Sequence, residues 1–502
     1  MTDWDAVRLR GSCRHPRRAR RRPVPLLVAL GALAAAGGAG GAPPPPPRVA
    51  VIGAGFGGAF AAREVRRHLG EEAVIDVLER GSVGGRVQHI LVEGDPREIG
   101  AEVFFGGSRY LKRAAREAGL ELAAPHFLRY GVSLWDGARF VLENFTWKTA
   151  AFKKMWRYGK SLYQLRALVT QAVEKLDAVY RLQEEEGRAY AGVEELLRAA
   201  GLYGLTQVSL EAYLAGNLGK DSAVMTELVN SLIKMFYNQD TEVNALAGLL
   251  ALAPVVTDDM LCVKGGNSAV VDRLLGAAGA NVRVGASIEE IERHGNGSYA
   301  LVGAVTREVD GDTEVRRGDF GPYDQVIVAA PLEFTGMKFL GMPDNPPRVP
   351  PRIFQSTFVT YIVGRLNDGY FNARSVPFGN ILVTKEANDG PFSAILMQKQ
   401  LANGERLYQI FSPVQLSPQI MQQLFTNVSW LGIQEWEAYP KFSPPEVFAP
   451  AELADGLYYL NAGESAASSL EMAAIFATNV GLLVKDSFAA PPPPAAGDDG
   501  EL

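Results

Sequence analysis

Residues 48–58 read RVAVIGAGFGG, and this stretch decides the fold. Its first five residues form a short apolar run rich in β-branched side chains, which predicts a buried strand. Helical periodicity follows from Phe60 through Leu69, and a second apolar strand over residues 74–78 ends at Glu79. The sequence therefore predicts a strand, a glycine-rich loop, a helix and a second strand, the context in which such loops bind nucleotide phosphates.

The glycines of this loop differ in what they permit. Gly53 allows the tight turn, Gly55 lets backbone N–H groups approach a pyrophosphate at the helix N-terminus, and Gly58 lets helix and strand pack closely. Glu79 is placed to accept hydrogen bonds from the ribose hydroxyls. An ordinary glycine turn is the alternative, and the surrounding strand, helix and acidic residue argue against it. The predicted nucleotide contacts in this unit are Gly53, Ala54, Gly55, Phe56, Gly57, Gly58, Glu79 and Arg80.

A second glycine pair after Glu79 favours FAD over NAD as the nucleotide. Backbone and a guanidinium there are able to meet the same pyrophosphate, which NAD enzymes do not usually need. The residues concerned are Gly84, Gly85 and Arg86.

Two later segments are suited to complete a flavin site. The strand over residues 323–331 closes with small residues around Ala330, which allows it to return to the nucleotide sheet. Near the C-terminus, Gly463 and Glu464 lead into a helix of small residues. The N-terminus of that helix is suited to stabilise negative charge on a reduced flavin, and Glu464 is suited to bind the ribityl chain.

Composition excludes several classes of protein. The chain has 502 residues, of which 47% are hydrophobic and 21% charged, as in globular proteins and not in disordered or fibrous ones. The formal net charge of -6 supplies no positive field to hold nucleic acid. The two cysteines, Cys13 and Cys262, exclude a disulfide framework, and Cys262 is expected to be an inert buried thiol. The sequence carries no metal motif, so no metal is predicted.

Both ends of the chain differ from the rest. Residues 1–47 carry a basic run, an apolar core and five prolines, the order of a signal peptide followed by a linker. The apolar core is shorter than the roughly 20 residues that span a bilayer, so a cleaved signal is expected, with an organelle transit peptide as the alternative. Residues 488–502 predict a disordered tail. The expected location is the secretory pathway, then lysosome or vacuole, with glycosylation triplets at Asn144, Asn296 and Asn427.

These patterns predict an α/β fold in which a Rossmann-like FAD-binding domain is interleaved with an α+β substrate domain and a helical cap. Apolar residues at helical spacing between 162 and 180 predict the cap, and β-branched alternation from Phe354 predicts the sheet of the substrate domain. The predicted division is FAD-binding at 48–124, 261–335 and 451–487, cap at 125–260, and substrate sheet at 336–450.

From Val49 to about Lys485 the sequence resembles the prenylcysteine oxidase family, also called farnesylcysteine lyases, a branch of the amine-oxidase-like FAD proteins. The glycine motifs of this resemblance are shared by many oxidases. Residues 263–267 (VKGGN) match as well. The more distinctive matches are residues 438–440 (AYP), 444–446 (PPE), 457–461 (LYYLN), 463–464 (GE), 466–468 (AAS) and 470–473 (LEMA).

The resemblance implies FAD-dependent oxidation of S-farnesyl- or S-geranylgeranylcysteine. Hydride would leave the isoprenoid carbon next to sulfur for the flavin, water would add, and the adduct would collapse to cysteine and a prenyl aldehyde. Oxygen would reoxidise the flavin and give hydrogen peroxide. The expected partners are the prenylcysteine and oxygen, and peripheral contact with a membrane is an additional option. Neither nucleic acid nor an obligate protein partner is expected. An FAD oxidase of another amine or lipid and a non-catalytic flavoprotein are the alternatives.

The resemblance also implies flavin contacts outside the first glycine loop. Glu471 and Met472 are expected near the ribityl chain and the ring. No side chain is assigned a catalytic role, because the flavin carries the chemistry. These further predicted cofactor contacts are Gly84, Gly85, Arg86, Gly100, Ala101, Glu102, Ile288, Ala330, Gly463, Glu464, Glu471 and Met472.

One segment departs from the family pattern. Family members usually carry Gly-Gly-Ser followed closely by His-Pro after the glycine equivalent to Gly100, whereas residues 101–106 of this chain read AEVFFG. We expect Glu102 to modulate the flavin, because a carboxylate beside the ring opposes build-up of negative charge on it. The alternative is that Glu102 faces solvent or pairs with a cation such as Arg97 or Arg109.

Overall fold

The computed structural model describes residues 45–92, 95–145, 157–309, 312–343 and 348–489. The predicted signal peptide and the predicted tail lie almost entirely outside these residues. The described α-helices are α1 (Phe56–Leu69), α2 (Arg109–Glu117), α3 (Ser161–Tyr180), α4 (Val193–Ala199), α5 (Leu210–Leu218), α6 (Asn230–Tyr237), α7 (Ala245–Val256), α8 (Ser268–Ala277), α9 (Pro418–Leu424) and α10 (Leu470–Ala489).

The strands are distributed along the whole described chain. They are β1 (Arg48–Ile52), β2 (Val74–Glu79), β3 (His89–Val92), β4 (Asp95–Glu98), β5 (Phe104–Phe105), β6 (Leu122–Ala123), β7 (Gly131–Trp135), β8 (Phe140–Phe145), β9 (Met260–Val263), β10 (Asn281–Val284), β11 (Ala286–Arg293), β12 (Tyr299–Val309), β13 (Asp312–Tyr323), β14 (Gln325–Val328), β15 (Lys338–Leu340), β16 (Phe354–Leu366), β17 (Gly379–Val383), β18 (Ala394–Gln400), β19 (Arg406–Ser412), β20 (Phe425–Pro440), β21 (Glu452–Ala454) and β22 (Leu457–Tyr459).

A six-stranded sheet forms the nucleotide end of the molecule. Its order is β10-β2-β1-β14-β22-β21, and every pair is parallel except β22 with β21. The strands β1 and β14 are almost completely buried, which is why they read as continuous apolar runs in the sequence. This sheet, with α1 following β1 across the glycine loop, confirms the predicted Rossmann-like α/β class.

Helix α10 packs closely along α1 on this sheet. A Cβ atom placed on Gly481 of α10 would lie 2.7 Å from Cβ of Glu64 on α1, so glycine is needed for the close approach of the two helices. By length and mean hydropathy α10 meets the criteria for a membrane span. Most of its residues are buried inside the protein, as expected for a core helix.

A seven-stranded sheet forms the floor of the second half of the molecule, in the order β20-β16-β19-β18-β17-β7-β8. The long strands β16 and β20 pair over most of their length. Two of its strands, β7 and β8, come from the segment 125–260 that was predicted as cap, and the helices of that segment begin at Ser161. Conversely, β15 from the segment 336–450 joins the four-stranded sheet β13-β12-β11-β15 that flanks the nucleotide end.

The helices α3, α6 and α7 cover the cavity, and α4 and α5 contribute no residue to its lining. Helix α3 buries Leu165, Val169, Leu176 and Tyr180, the face predicted from its apolar spacing. A wider helical turn, Arg181–Glu185, continues it. The acidic residues 184–186 at this end are exposed to solvent, as expected for a charged run at a helix end, and Glu184 forms an ion pair with Arg113 of α2.

Candidate active site

A cavity of about 490 Å³ opens at the carboxyl ends of β1, β2 and β14, where ligands bind in open α/β sheets. Its nucleotide end is lined by Gly53, Gly55, Gly57, Glu79 and Ala330. Its other end runs under the cap, where it is lined by Phe127, Leu176, Met235, Phe236, Leu250 and Pro254. One continuous cavity therefore joins the glycine loops to an apolar chamber.

The two glycine loops form a cradle made of backbone. Gly53 has a φ of +111°, and a Cβ atom there would lie 2.7 Å from the carbonyl oxygen of Ala329, so an L side chain is excluded. The second loop packs on the first, since Gly84 N–H donates to the Ala54 oxygen at 2.9 Å and Gly84 pairs with Gly55 as an isolated bridge. Backbone at the N-terminus of α1 thus faces the cavity without side chains between them, a fit for a pyrophosphate.

Glu79 stands at the end of β2 and lines the cavity. Its Oε2 accepts from Ala54 N–H at 2.8 Å and its Oε1 accepts from Gly81 N–H at 2.6 Å. The carboxylate is therefore held in one orientation at the strand end, the position at which a ribose is expected. Arg80 turns away, because its guanidinium donates to the backbone oxygen of Phe334 and it does not line the cavity.

Half-buried Arg86 and buried Glu464 form an ion pair at the cavity wall. Arg86 Nη1 also donates to the Ala438 oxygen at 2.8 Å. Burial disfavours charge on Glu464, but the charge and hydrogen bond of Arg86, the charge of Arg352 and the hydrogen bond of Asn461 together outweigh burial and lower the pKa of this carboxyl. The pair places an ionised carboxylate and a guanidinium beside the glycine loops, and their contacts with the pyrophosphate and the ribityl chain stay predictions.

A second guanidinium behind this pair was missed in the sequence. Arg352 Nε and Nη2 donate to the two oxygens of Glu333 at 2.6 and 3.0 Å, and Nη1 donates to the Asn461 oxygen at 2.8 Å. Asn461 in turn donates to Glu464 at 3.1 Å. Arg352 lies in no recognisable motif, so no local signal identifies it.

The wall formed by Gly100, Ala101 and Glu102 is fixed from behind by one asparagine. Asn267 Nδ2 donates to the backbone oxygens of Ala101 and Glu102 at 2.6 and 3.0 Å. A Cβ on Gly100 would lie 2.0 Å from the ring of Trp436, so the indole of β20 packs directly on this backbone. The motif at 263–267 was recognised in the sequence without a role, and this contact supplies it.

Glu102 lies between the cavity and the polar side chains of Gln398, Gln409 and Arg97. It lines the cavity and accepts hydrogen bonds from the side chains of Gln409 and Gln398. Burial raises its pKa to about 7, and those two hydrogen bonds and the charge of Arg97 limit the increase. Of the two cations proposed as its partner, Arg97 is the one whose charge acts on it, because Arg109 pairs with Asp177 at 2.8 Å.

Glu471 contacts protein at both of its oxygens. Oε1 accepts from Tyr110 N–H at 2.8 Å and from the Tyr180 hydroxyl at 2.7 Å, and Oε2 accepts from Leu111 N–H at 2.9 Å. The carboxylate therefore satisfies the N-terminus of α2 from another helix. Glu471 and Met472 both line the cavity, but these bonds make the glutamate a structural residue first.

Several predicted positions stand apart from the cavity lining. Gly58 is buried against the backbone of Gly53, and Gly463 is covered by the ring of Phe476. Ile288 is a buried core residue of β11 and does not line the cavity, so the structure does not support its prediction as a flavin contact.

Burial raises the pKa of Cys262 to about 12, as for an inert thiol. Within the described ranges, no group of His, Cys, Asp and Glu is arranged to hold a metal.

Comparisons with known proteins identify the family of this chain. The sequence model described as prenylcysteine lyase matches residues 142–492, and that of an NAD(P)-binding Rossmann-like domain matches residues 51–118. The chain belongs to the prenylcysteine lyase family. Bovine prenylcysteine oxidase 1 is 32% identical over 458 residues, covering 87% of this chain and 88% of the relative. Human prenylcysteine oxidase 1-like is 33% identical over 483 residues, covering 92% and 94%.

Solved structures confirm the fold of this prenylcysteine lyase family member. Putrescine oxidase with putrescine bound has a TM-score of 0.56 at 15% identity, covering 88% of this chain and 99% of that one. Cyclohexylamine oxidase from Brevibacterium oxydans has a TM-score of 0.57 at 13% identity, covering 89% and 100%. The cofactor of this family member is FAD, and the cradle of two glycine loops with Glu79 and Arg86 fits its dinucleotide half.

Proposed function

We propose that this protein is an oxidase of prenylcysteine thioethers, acting on the sulfur-bound carbon with oxygen as final acceptor. The observation that carries the proposal is the single cavity that runs from the glycine loops to the apolar chamber under α3, α6 and α7. A farnesyl or geranylgeranyl chain matches such a chamber, because each buried CH₂ contributes about 0.8 kcal/mol. The products are cysteine, a prenyl aldehyde and hydrogen peroxide.

Residues of this chain divide the work of binding. The glycine loops, Glu79 and Arg86 hold the dinucleotide, and the wall from Gly100 to Glu102 and the start of α10 border the remaining part of the cavity. FAD when bound supplies the oxidant, taking a hydride from the carbon next to sulfur. The apolar cap residues orient the isoprenoid chain and exclude bulk water from that carbon.

The experiment is anaerobic stopped-flow of the FAD-loaded protein with S-farnesylcysteine. We expect reduction of the flavin absorbance band, followed by peroxide release when oxygen is admitted. Putrescine and cyclohexylamine are run in parallel, since the solved structures with this fold include oxidases named for these amines. Reduction by an amine and none by the thioether would contradict the proposal and favour an amine oxidase. No reduction by either would favour a non-catalytic flavoprotein.

We also infer that the protein enters the secretory pathway and is delivered to a lysosome or vacuole. The basic and apolar order of residues 1–47 supports this, and it lies almost entirely outside the described residues. Two of the three glycosylation triplets begin at exposed asparagines, Asn296 and Asn427. Expression in a secreting cell should yield a protein that loses mass on treatment with an N-glycosidase, and an unchanged mass would contradict the glycosylation.

A further inference from the structure

Two glutamates, Glu98 and Glu102, are joined through Asn267 at the cavity wall, since Asn267 donates its N–H to Glu98 Oε1 and its Nδ2 to the Glu102 backbone oxygen, and hydride transfer uses neither carboxyl. Glu102 lines the cavity, and the Oε1 of Glu98 accepts from the backbone N–H of Asn267. The second oxygen of Glu98 is buried and has no hydrogen-bond partner among the described residues. Burial and then the charge of Glu102 raise the pKa of Glu98 to about 8, because two partly buried carboxyl groups resist ionising together.

The groups around this pair come from five strands. Arg97 lies beside Glu98 on β4 and favours the charge of Glu102, whereas Cys262 of β9 has a raised pKa and stays protonated. Tyr361 of β16 donates its hydroxyl to the backbone oxygen of Glu98 at 2.6 Å, so it does not neutralise either carboxyl. Near neutral pH the carboxyls of Glu98 and Glu102 therefore carry one negative charge between them, and the one proton that they hold can move from one carboxyl to the other.

Two amides from β18 and β19 aim the Glu102 side chain. Gln398 and Gln409 both donate to it, and Gln398 Nε2 also donates to Gln409 Oε1 at 2.6 Å. Gln409 Nε2 additionally donates to the backbone oxygen of Glu98 at 3.1 Å. Both glutamines are buried, and Glu102 beside them borders the cavity.

We propose that Glu102, coupled to Glu98, accepts the proton of the water that hydrolyses the oxidised substrate and then protonates the departing sulfur. This inference rests on the proposed function, because loss of hydride from the prenylcysteine leaves a carbon–sulfur cation that needs water. Glu98 keeps the one proton that the pair holds. Glu102 is therefore ionised and can accept a second proton.

A water oxygen forms a bond to the cationic carbon, the C=S π pair returns to sulfur, and one water proton passes to a Glu102 oxygen. The C–S bond then breaks with its electron pair on sulfur, which takes the proton from Glu102. The hydroxyl proton of the adduct leaves to Glu102 as the C=O bond forms, and one proton is finally released to solvent. A cation and water thus become an aldehyde, a thiol and one proton.

The test separates hydride transfer from hydrolysis in the FAD-loaded protein. Parent, Glu102→Gln, Glu98→Gln and the control Glu437→Gln are mixed anaerobically with S-farnesylcysteine, and flavin reduction and aldehyde formation are timed separately. Glu437 also lines the cavity, but its carboxylate accepts from Ser356 at 2.8 Å. We expect Glu102→Gln to reduce flavin within a few-fold of the parent but to form aldehyde on the order of 100-fold more slowly.

The pH dependence supplies a second readout. Aldehyde formation by the parent should rise with pH through about 7, since Glu102 must be ionised to accept a proton, and this step should be lost in Glu102→Gln and kept in Glu437→Gln. Equal aldehyde rates and equal pH profiles in parent and Glu102→Gln would overturn the proposal.

A third readout needs neither substrate nor turnover. The infrared band of a protonated carboxyl should titrate near neutral pH in the parent and disappear in a Glu98→Gln, Glu102→Gln double variant. Its absence from the parent would also overturn the proposal. If S-farnesylcysteine fails to reduce the flavin of the parent, the proposed substrate is refuted, while the infrared titration still decides whether the pair holds a proton.

Discussion

At the scale of single residues, Glu79 offers the most direct test of cofactor binding. If its carboxylate accepts both adenosine-ribose hydroxyls, Glu79→Ala should weaken FAD binding by about 2–3 kcal/mol, the range for hydrogen bonds to a charged group. Titration of the apoprotein with FAD, followed by quenching of flavin fluorescence, measures this loss. Glu71→Ala is the control, because Glu71 is exposed on the same unit. Equal affinities of the two variants would place the ribose elsewhere.

Glu102 should tune the flavin in a way that depends on pH. Its pKa of about 7 means that the side chain is charged above neutrality and neutral well below it. Only the charged form opposes negative charge on the reduced ring, so Glu102→Ser should raise the flavin midpoint potential by tens of millivolts at pH 8 and by much less at pH 5.5. Spectroelectrochemical titration at both pH values checks this, with the exposed Glu121→Ser as control. A pH-independent difference would argue against the assigned titration.

At the scale of elements, Glu471 joins three helices through one carboxylate. Glu471 lies on α10, and its carboxylate accepts hydrogen bonds from two N–H groups of α2 and from the Tyr180 hydroxyl of α3. Burial raises its pKa, and the three hydrogen bonds limit that increase. The helix N-terminus is therefore served by a side chain that is distant in sequence.

Removing this carboxylate should cost stability more than cofactor affinity. Glu471→Ala leaves buried donors without acceptors, and we expect a loss of about 2–4 kcal/mol in the free energy of unfolding, with a smaller loss for Glu471→Gln. Urea unfolding of the FAD-free protein measures it. Unchanged stability together with weaker FAD binding would instead support Glu471 as a flavin contact.

At the scale of the whole molecule, the pair of Glu98 and Glu102 makes stability depend on pH. Both folded pKa values lie above the usual 4.5, at about 8 and about 7. Between the unfolded pKa of 4.5 and these folded pKa values, the folded state holds protons that the unfolded state has lost. The free energy of unfolding therefore falls as pH rises from about 5 to about 8. A Glu98→Gln, Glu102→Gln double variant should lose less stability than the parent over this range, as measured by melting temperature. Parallel curves would contradict the pKa assignments.

The sequence alone determined the nucleotide half of the molecule. The strand, glycine loop, helix and strand over 48–79 are consecutive in the chain, so local periodicity and turn chemistry are enough to predict both the elements and the place of Glu79. The same holds for α3, whose buried face follows directly from the spacing of its apolar residues. The predicted division was less accurate where strands of one segment pair with a distant one, as β7 does with β17.

Only the tertiary structure decided which charges meet. Arg86 and Glu464 are 378 residues apart, Arg352 carries no motif, and Glu102 is aimed by glutamines from β18 and β19. Glu471 likewise accepts hydrogen bonds from the N-terminus of α2, which is distant in sequence. The cost of burying a charge is offset only by the particular partners that the folded chain brings together, and local sequence does not specify those partners. Ion pairs and raised pKa values are therefore properties of the packing, whereas the glycine loop is a property of the chain itself.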